Sequence, residues 1–444
     1  MNTSHKAITV FVGGTSPFAD NKGNAAIFVG LLKFLEKTSK YGYYIIKCYV
    51  AHTLPESIHR YIIFAPSIRI PQSWHGRIYV VPPKSFYIRF SKHVIIASLI
   101  YQILYIIDAA LAKVLKKVGV NYKPFTSMTR ALLESDIVLE FNWGDTFTDK
   151  YYGFLVLAFN VTRMVSYKIL DKPTVLMPQS LGPFNTLLGK SLARIILSSK
   201  NIKLIFPREP VSYANMISLG IPKVKIFLAP DISSYIMLSM RKPVSNENAK
   251  RRLLNVCVAP NPIFIQFYGI KHFNHLLSCI ISSVKRLQRI RKLFNVYLIS
   301  HGSSISKFFD TLKLCKMLSK ITGFHIVRDD MIDVVELWDN ISQRCDVMIS
   351  MLAHPIMASL YSGKPAIGLS YSKKIYGILK MFGLSELIVE PLAECQSIGG
   401  KIQQVIDNYE EYCKALNTKL KLFRKLNRRL EELFVKVVGE QSEE

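Results

Sequence analysis

Short runs of valine, isoleucine and leucine alternate along this chain with longer stretches of helical apolar spacing, and the pattern holds from the first residues to beyond residue 360. That alternation constrains the fold more than any other feature. Strands that read as continuous apolar runs are buried on both faces, and the helices between them act as crossovers joining parallel neighbours. In the first half the expected strands are Ile8–Val12, Tyr44–Val50, Ile137–Phe141, Thr174–Met177, Leu204–Phe206 and Ile226–Leu228. Helices are expected at Asn24–Thr38, Ile95–Leu115, Gly189–Ser199 and Ser212–Leu219. The second half restarts with strands Val256–Ala259, Val296–Ser300, Val347–Ser350 and Ala366–Leu369, and with helices His272–Leu293, Ile305–Ser319, Met331–Arg344 and Pro355–Tyr361. Between the halves, the polar stretch Arg241–Arg252 reads as a linker. A chain of 444 residues is long for one core. Two domains are therefore expected, over residues 1–240 and 241–400, followed by a tail over 401–444.

The chemistry-bearing residues fall where expected strands run into turns, the edge at which open α/β sheets bind ligands. In Met177–Phe184 (MPQSLGPF), Gln179 and Ser180 sit on a turn signalled by Gly182-Pro183. Arg208 follows the strand ending at Phe206, and Ser212 is placed to start the next helix. An arginine at a strand end suits a planar anion, because its fork grips carboxylate or phosphate. The alternative is a surface arginine paired with Glu209. The Gly13-Gly14 loop before the helix at Asn24 offers backbone N–H groups and a helix N-terminus to an anion or sugar, although it lacks the Gly-x-Gly-x-x-Gly of dinucleotide sites. Asp145 and Asp149, around Trp143-Gly144, are either turn-forming aspartates or ligands of hydroxyls. His301 ends a strand, and His354 precedes Pro355 at a helix start, where an imidazole can donate or take a proton near neutral pH. Lys373 and Lys374 supply a second positive contact.

Composition narrows the partners. Hydrophobic residues make up 50% and charged residues 20%, a globular balance. Lys and Arg total 58 against 31 acids, a net charge of +27, which calls for an anionic partner: nucleic acid, an acidic membrane surface or phosphorylated substrates. The usual nucleic-acid signatures (an RNP motif, a zinc finger, a basic helix-turn-helix) are absent from the sequence. The seven cysteines are scattered without Cys-x-x-Cys spacing, so neither a zinc site nor a disulfide framework is indicated, and a reducing compartment is expected. No metal-ligand motif such as His-Glu-x-x-His is present. The apolar run Val94–Ile107 is too short for a membrane span of about 20 residues, leaving a buried or groove-lining helix, or an interfacial one. In the tail, Leu416, Phe423, Leu430 and Val437 repeat every seven residues with Leu420, Leu426 and Leu433 between them. That stripe predicts an amphipathic helix packing back on the body, with dimer seam and membrane contact as alternatives.

Several of these segments, taken in order, resemble the polysaccharide pyruvyl transferases. The resemblance is carried by VGGTSPFADNKGNAA (Val12–Ala26), SDIVLEFNWGDTFTDKYYG (Ser135–Gly153), Pro-Gln-Ser-x-Gly-Pro-Phe, Arg208-Glu209 with Ser212, NVCVAPNP from Asn255, YLISH (Tyr297–His301), and His354–Leu384 with its Gly-x-Pro strand and Tyr-x-x-Lys turn. It spans roughly residues 8 to 390. With the alternation above, it gives an α/β chain of two Rossmann-like domains, mostly parallel sheets facing across a GT-B-like cleft, and a basic C-terminal amphipathic helix. The resemblance implies pyruvyl transfer from phosphoenolpyruvate to a sugar diol of a cell-surface polysaccharide or its lipid-linked precursor, forming a ketal. Phosphoenolpyruvate is then a co-substrate, and no cofactor or metal is implied. On this chain His354 and Arg208 are the expected catalytic residues, with Arg208, His301, Lys373 and Lys374 on the donor. Gly13, Gly14, Asn21, Asn24, Asp145 and Gln179 are expected on the acceptor, which belongs to the N-terminal domain. One position departs from the family pattern: Arg-x-His is replaced by Leu352, Ala353 and His354. Either another cation, such as Lys373 or Lys374, replaces that arginine, or activity is altered. A nucleotide-sugar glycosyltransferase and a non-catalytic glycan- or anion-binding descendant remain as alternatives. The expected location is cytoplasmic, peripheral at the inner face of an anionic membrane.

Overall fold

The computed structural model describes residues 6–15, 22–41, 43–51, 72–74, 77–81, 94–151, 153–240, 254–262, 264–291, 295–302, 310–328, 332–370, 373–390 and 395–440. Six strands form the first sheet: β1 (Lys6–Gly13), β2 (Tyr43–Ala51), β3 (Ile78–Val81), β4 (Ile137–Glu140), β5 (Thr174–Gln179) and β6 (Ile202–Pro207). Their order is β3-β2-β1-β4-β5-β6, and every pairing is parallel. A second parallel sheet contains β7 (Val256–Ala259), β8 (Val296–Ile299), β9 (His325–Val327), β10 (Val347–Ser350), β11 (Ala366–Leu369) and β12 (Ile388–Val389), in the order β12-β11-β10-β7-β8-β9. Counted within its own half, each sheet runs third, second, first, fourth, fifth, sixth. Each therefore has a switch point, between β1 and β4 and between β7 and β10, where the crossovers diverge and leave a crevice.

The central strands are apolar because helices cover both faces: every residue of β4, β5, β7, β10 and β11 is buried. The expected strand at Ile226–Leu228 is reduced to one bridge from Ile226 to Ile205, following a 3-10 turn at Lys223–Lys225. The helix expected from His272 begins earlier, at Phe264, with a break in its dihedrals at Gly269. The helix expected from Ile305 is described over Thr311–Thr322, where the Asp310 side chain caps it by accepting from Lys313 N. The linker at Arg241–Arg252 lies outside the described residues.

The cysteine reading is corrected. Cys257 of β7 and Cys345, just ahead of β10, form a disulfide with Cα atoms 5.6 Å apart. Their 88-residue separation hides this in sequence, but β7 and β10 are sheet neighbours. Unpaired cysteines thus no longer argue for a reducing compartment.

The last helix, Tyr409–Glu440, packs back on the body as its stripe predicts and joins the two halves. Leu416, Leu420 and Phe423 enter the C-terminal core, where Phe423 meets Phe382 edge-on at 4.5 Å. Leu430, Phe434 and Val437 enter the N-terminal core, where Phe434 meets Phe34 at 5.1 Å. Buried Glu431 fixes this end through Lys37 at 2.7 Å and Tyr235 Oη at 2.9 Å. No helix among the described residues is long and apolar enough to cross a membrane.

Candidate active site in the interdomain cleft

On the N-terminal side the crevice rests on a buried ion pair. Glu140, the last residue of β4, accepts from Arg163 Nη2 at 2.7 Å and Nε at 3.1 Å, and both side chains are fully buried. Tyr167 Oη and the Asn142 backbone N–H also donate to Glu140, each at 2.8 Å. Arg163 and Tyr167 lie one helical turn apart on the helix Phe154–Ile169, the spacing that puts both on one face. The carboxylate sits directly beneath Gly13 and Gly14, where an added Cβ would overlap Glu140 and Tyr167 or Asn142. That close approach, together with φ of +66° at Gly14, explains the glycine pair.

Above the pair the backbone turns sharply, with positive φ at Asn142 (42°), Trp143 (55°) and Gly144 (84°). Non-glycine residues pay strain in that region, and such strain concentrates at functional sites. The turn is held by Asn142 Nδ2 donating to Gln179 Oε1 at 2.9 Å, while Gln179 Nε2 donates to the Glu140 and Met177 carbonyls. Asp149 closes the neighbouring loop by accepting from Asn185 N, Thr186 N and Thr186 Oγ1, so it is a turn-former.

Arg208 follows β6 and is 2% exposed. Its Nε donates to Ser180 Oγ at 2.9 Å and its Nη1 to Asp231 at 2.7 Å, with Glu209 at 3.5 Å. Burial works against its charge, but Asp231, Glu209 and Asp145 outweigh it and hold the guanidinium cationic. Nη2 is buried and has no hydrogen-bond partner among the described residues. A surface pair with Glu209 is therefore not what forms. Burial also raises the carboxyl pKa of Glu209 against the pull of Arg208.

The facing wall comes from the second sheet. His301 lies two residues past the end of β8, accepts at Nε2 from Trp338 Nε1 at 3.4 Å, and lies parallel to His354 with ring centroids 6.1 Å apart. Burial, reinforced by Lys22, takes His301 down to about 3. His354 opens the helix Ala353–Tyr361, and its Nε2 is buried without a partner. Its pKa falls well below the ordinary imidazole value, first through burial, then through Lys374, His301 and Arg208. Both imidazoles are thus held in their neutral form. Lys374 reaches across to Asp145 at 2.9 Å, and Lys22 Nζ donates to the Ile332 carbonyl at 2.7 Å.

The fold thus brings Arg208, His301, His354, Lys374 and Asp145 to one cleft. Asp145 is engaged by Lys374, so it clasps the two domains. Gln179 is fully buried with both amide protons engaged, and Gly13 and Gly14 are shaped by Glu140. Asn24 lies in the first turn of the helix Lys22–Thr38 and is partly buried. Asn21 and the Lys373 side chain lie outside the described residues. At the departing position, Leu352 precedes the first turn of its helix without capping it through its side chain, and donates its backbone N–H to Ser350 Oγ at 2.8 Å. Sequence reasoning missed Glu140, Arg163, Tyr167 and Trp338. For Arg163 the signal was a cation in the middle of a largely apolar helix.

Comparison with known proteins agrees with this geometry. The sequence profile described as polysaccharide pyruvyl transferase matches residues 21–373. Over 316 residues the chain is 24% identical to the amylovoran biosynthesis protein AmsJ of Erwinia amylovora, covering 64% of this chain and 68% of that protein. A putative UDP-N-acetylglucosamine 2-epimerase from Listeria monocytogenes is similar in structure, with 11% identity and a TM-score of 0.53 over 93% of this chain and 91% of that one. So is sucrose-phosphate synthase from Thermosynechococcus elongatus, with 12% identity and a TM-score of 0.54 over 98% of this chain and 100% of that one. At such identities the likeness is one of fold, and the fold is GT-B-like.

Proposed function

The chain belongs to the polysaccharide pyruvyl transferase family, and from that premise we propose that it transfers a pyruvyl group from phosphoenolpyruvate to a sugar diol of a polysaccharide or its lipid-linked precursor. The observation that carries this reading is the pair of buried, unpartnered nitrogens, Arg208 Nη2 and His354 Nε2. Buried donors and acceptors are normally satisfied, so two orphans lining one cleft argue for a ligand that completes them. Phosphoenolpyruvate offers a carboxylate and a phosphate, and Arg208 Nη2 binds one of these oxygens.

Proton movement follows from the electrostatics. Burial first, and then the cations Lys374 and Arg208, depress His354, and an arriving polyanion offsets the cations' part and raises its proton affinity. The protonated imidazole then donates to the methylene carbon, leaving positive character at the carbon that bears phosphate. One hydroxyl adds there and loses its proton. Phosphate leaves, the second hydroxyl adds and loses its proton, and the ring closes. Of the two hydroxyl protons, one replaces the proton given to carbon and the other departs with phosphate. The reaction needs no metal. Leu352 leaves the donor's charge to Arg208 and to Lys374, which Asp145 releases when the clasp opens. A cytoplasmic location, where the phosphorylated donor is made, belongs to the same proposal. The test is phosphate release from phosphoenolpyruvate with β-galactosyl, mannosaminyl and glucosyl acceptors, with ketals sought by mass spectrometry. Turnover supports the reading. No turnover, with stabilisation by UDP instead of phosphoenolpyruvate, overturns it in favour of a nucleotide-sugar enzyme.

A further inference from the structure

The helix Val94–Lys117 is apolar on two sides. One side faces the protein, where Tyr105, Ala109 and Ala112 are buried beside Gln102 and Asp108. Asp108 is the only acid between residues 94 and 133, and it is consumed internally by Tyr122 Oη, Thr126 N and Thr126 Oγ1. The other side is open. Ile103, Ile107, Leu111, Val114 and Val118 follow helical spacing along one stripe and are 53, 46, 41, 59 and 65% exposed. Val120 and Phe125, in the segment that follows, are also exposed. Scattered exposed aliphatic residues are ordinary, whereas a contiguous stripe marks an interaction surface.

The exposed charges that the described helix and the segment after it carry beside the stripe are positive. Lys113, Lys116, Lys117 and Lys123 are all exposed at its C-terminal end, and the single ion pair recorded for them, Lys113 with Asp171, is solvent-exposed on both partners. A second copy of this chain would set these lysines against their like. Anionic headgroups complement them, and the aliphatic stripe matches the acyl boundary just below. We propose that this face docks on an anionic phospholipid leaflet. The inference goes beyond the catalytic reading and holds whatever reaction the cleft performs.

Its position suits an enzyme that meets its acceptor at a membrane. The Lys113–Asp171 contact brings the C-terminal end of this helix beside that of Phe154–Ile169, so the two run alongside each other. The opposite end of the second helix, where Leu155 is 54% exposed, begins nine residues after Asp145.

The experiment is cosedimentation of the full chain with phosphatidylcholine vesicles, with and without phosphatidylglycerol, at low and high salt. Wild type binds the anionic vesicles and is released by salt. The exposed-site double variant Ile107→Glu/Val114→Glu, with unchanged circular dichroism and melting, binds at least about tenfold more weakly. The triple variant Lys113→Gln/Lys116→Gln/Lys117→Gln also weakens binding and loses much of the salt dependence. In Val114→Trp, the indole emission shifts to the blue when anionic vesicles are added, a readout that needs no loss of function. Three results overturn the proposal: wild type ignores anionic vesicles at low salt, the glutamate variant binds as wild type does, or light scattering shows that variant splitting a dimer into monomers, which would make a second copy the occupant.

Discussion

Replacing Glu140 by Gln keeps the shape of the side chain but removes the charge that balances Arg163 beneath the cleft. Arg163 directs Nε and Nη2 at that carboxylate, and neither residue touches solvent. Asn142 Oδ1 and Asn160 Oδ1, at 3.1 and 3.0 Å, remain as neutral partners. Removing one member of a buried pair costs about 3–5 kcal/mol, because the survivor is left charged in a low-dielectric interior. For a domain of this size each kcal/mol moves the melting point by about 2–4 °C, so Glu140→Gln lowers the N-terminal transition by roughly 6–20 °C in scanning calorimetry. Because Glu140 also anchors the Asn142 amide, the turn that presents Asp145 to Lys374 loosens and turnover falls with stability. Adding Arg163→Met in the same chain removes the orphaned charge and recovers a large part of the loss. A single-variant loss below about 1 kcal/mol, the scale of a surface pair, refutes the reasoning. So does a double variant destabilised by the sum of the two singles.

Other consequences follow from the same geometry. His301, held down to about 3, and His354, held well below its usual value, stay neutral while unfolded histidines titrate near about 6.5. Their contribution is present above that value and is lost as pH falls, because the unfolded state then binds more protons. One unit below, each costs at most about 1.4 kcal/mol, read by urea melts at about pH 7.5 and about pH 5.5, and His301→Asn flattens the slope. Equal stability at both pH values contradicts this. Gly13→Ala forces a methyl against Glu140 and Tyr167 and destabilises by about 1–3 kcal/mol in the same melts, as overpacked cores do. Leu352→Arg restores the family cation beside His354 and tightens phosphoenolpyruvate binding by about tenfold or more in calorimetry. Unchanged affinity would mean that Arg208 and Lys374 already saturate the donor's charge.

Legibility in the sequence followed what each element owes to its own residues. Strands buried on both faces announce themselves, and Val256–Ala259, Val347–Ser350 and Ala366–Leu369 form as their apolar runs predict. The edge strands β3, β9 and β12 are two to four residues long and pair with one neighbour each, too short for a run in the sequence to distinguish them from a loop. Arg208 and His354 were visible because turn chemistry exposes strand ends. The support beneath them was not: Glu140 finds Arg163 only through the crossover, and Arg208 finds Asp231 only once β6 is in place. Asp145 and Lys374 are 229 positions apart, and they become partners only when two sheets face each other. For the same reason the sequence shows Gln179 at a strand end but not its bonds to Asn142 and to the Glu140 and Met177 carbonyls.

The central claim is that a polyanionic donor completes Arg208 and His354 and restores the proton affinity of His354. Calorimetric titration of phosphoenolpyruvate in buffers of differing ionisation enthalpy measures affinity and proton exchange together, for wild type and for His354→Asn. The account predicts binding to both, with wild type taking up more protons per donor than the variant. No binding, or the same affinity and proton count in both proteins, contradicts it.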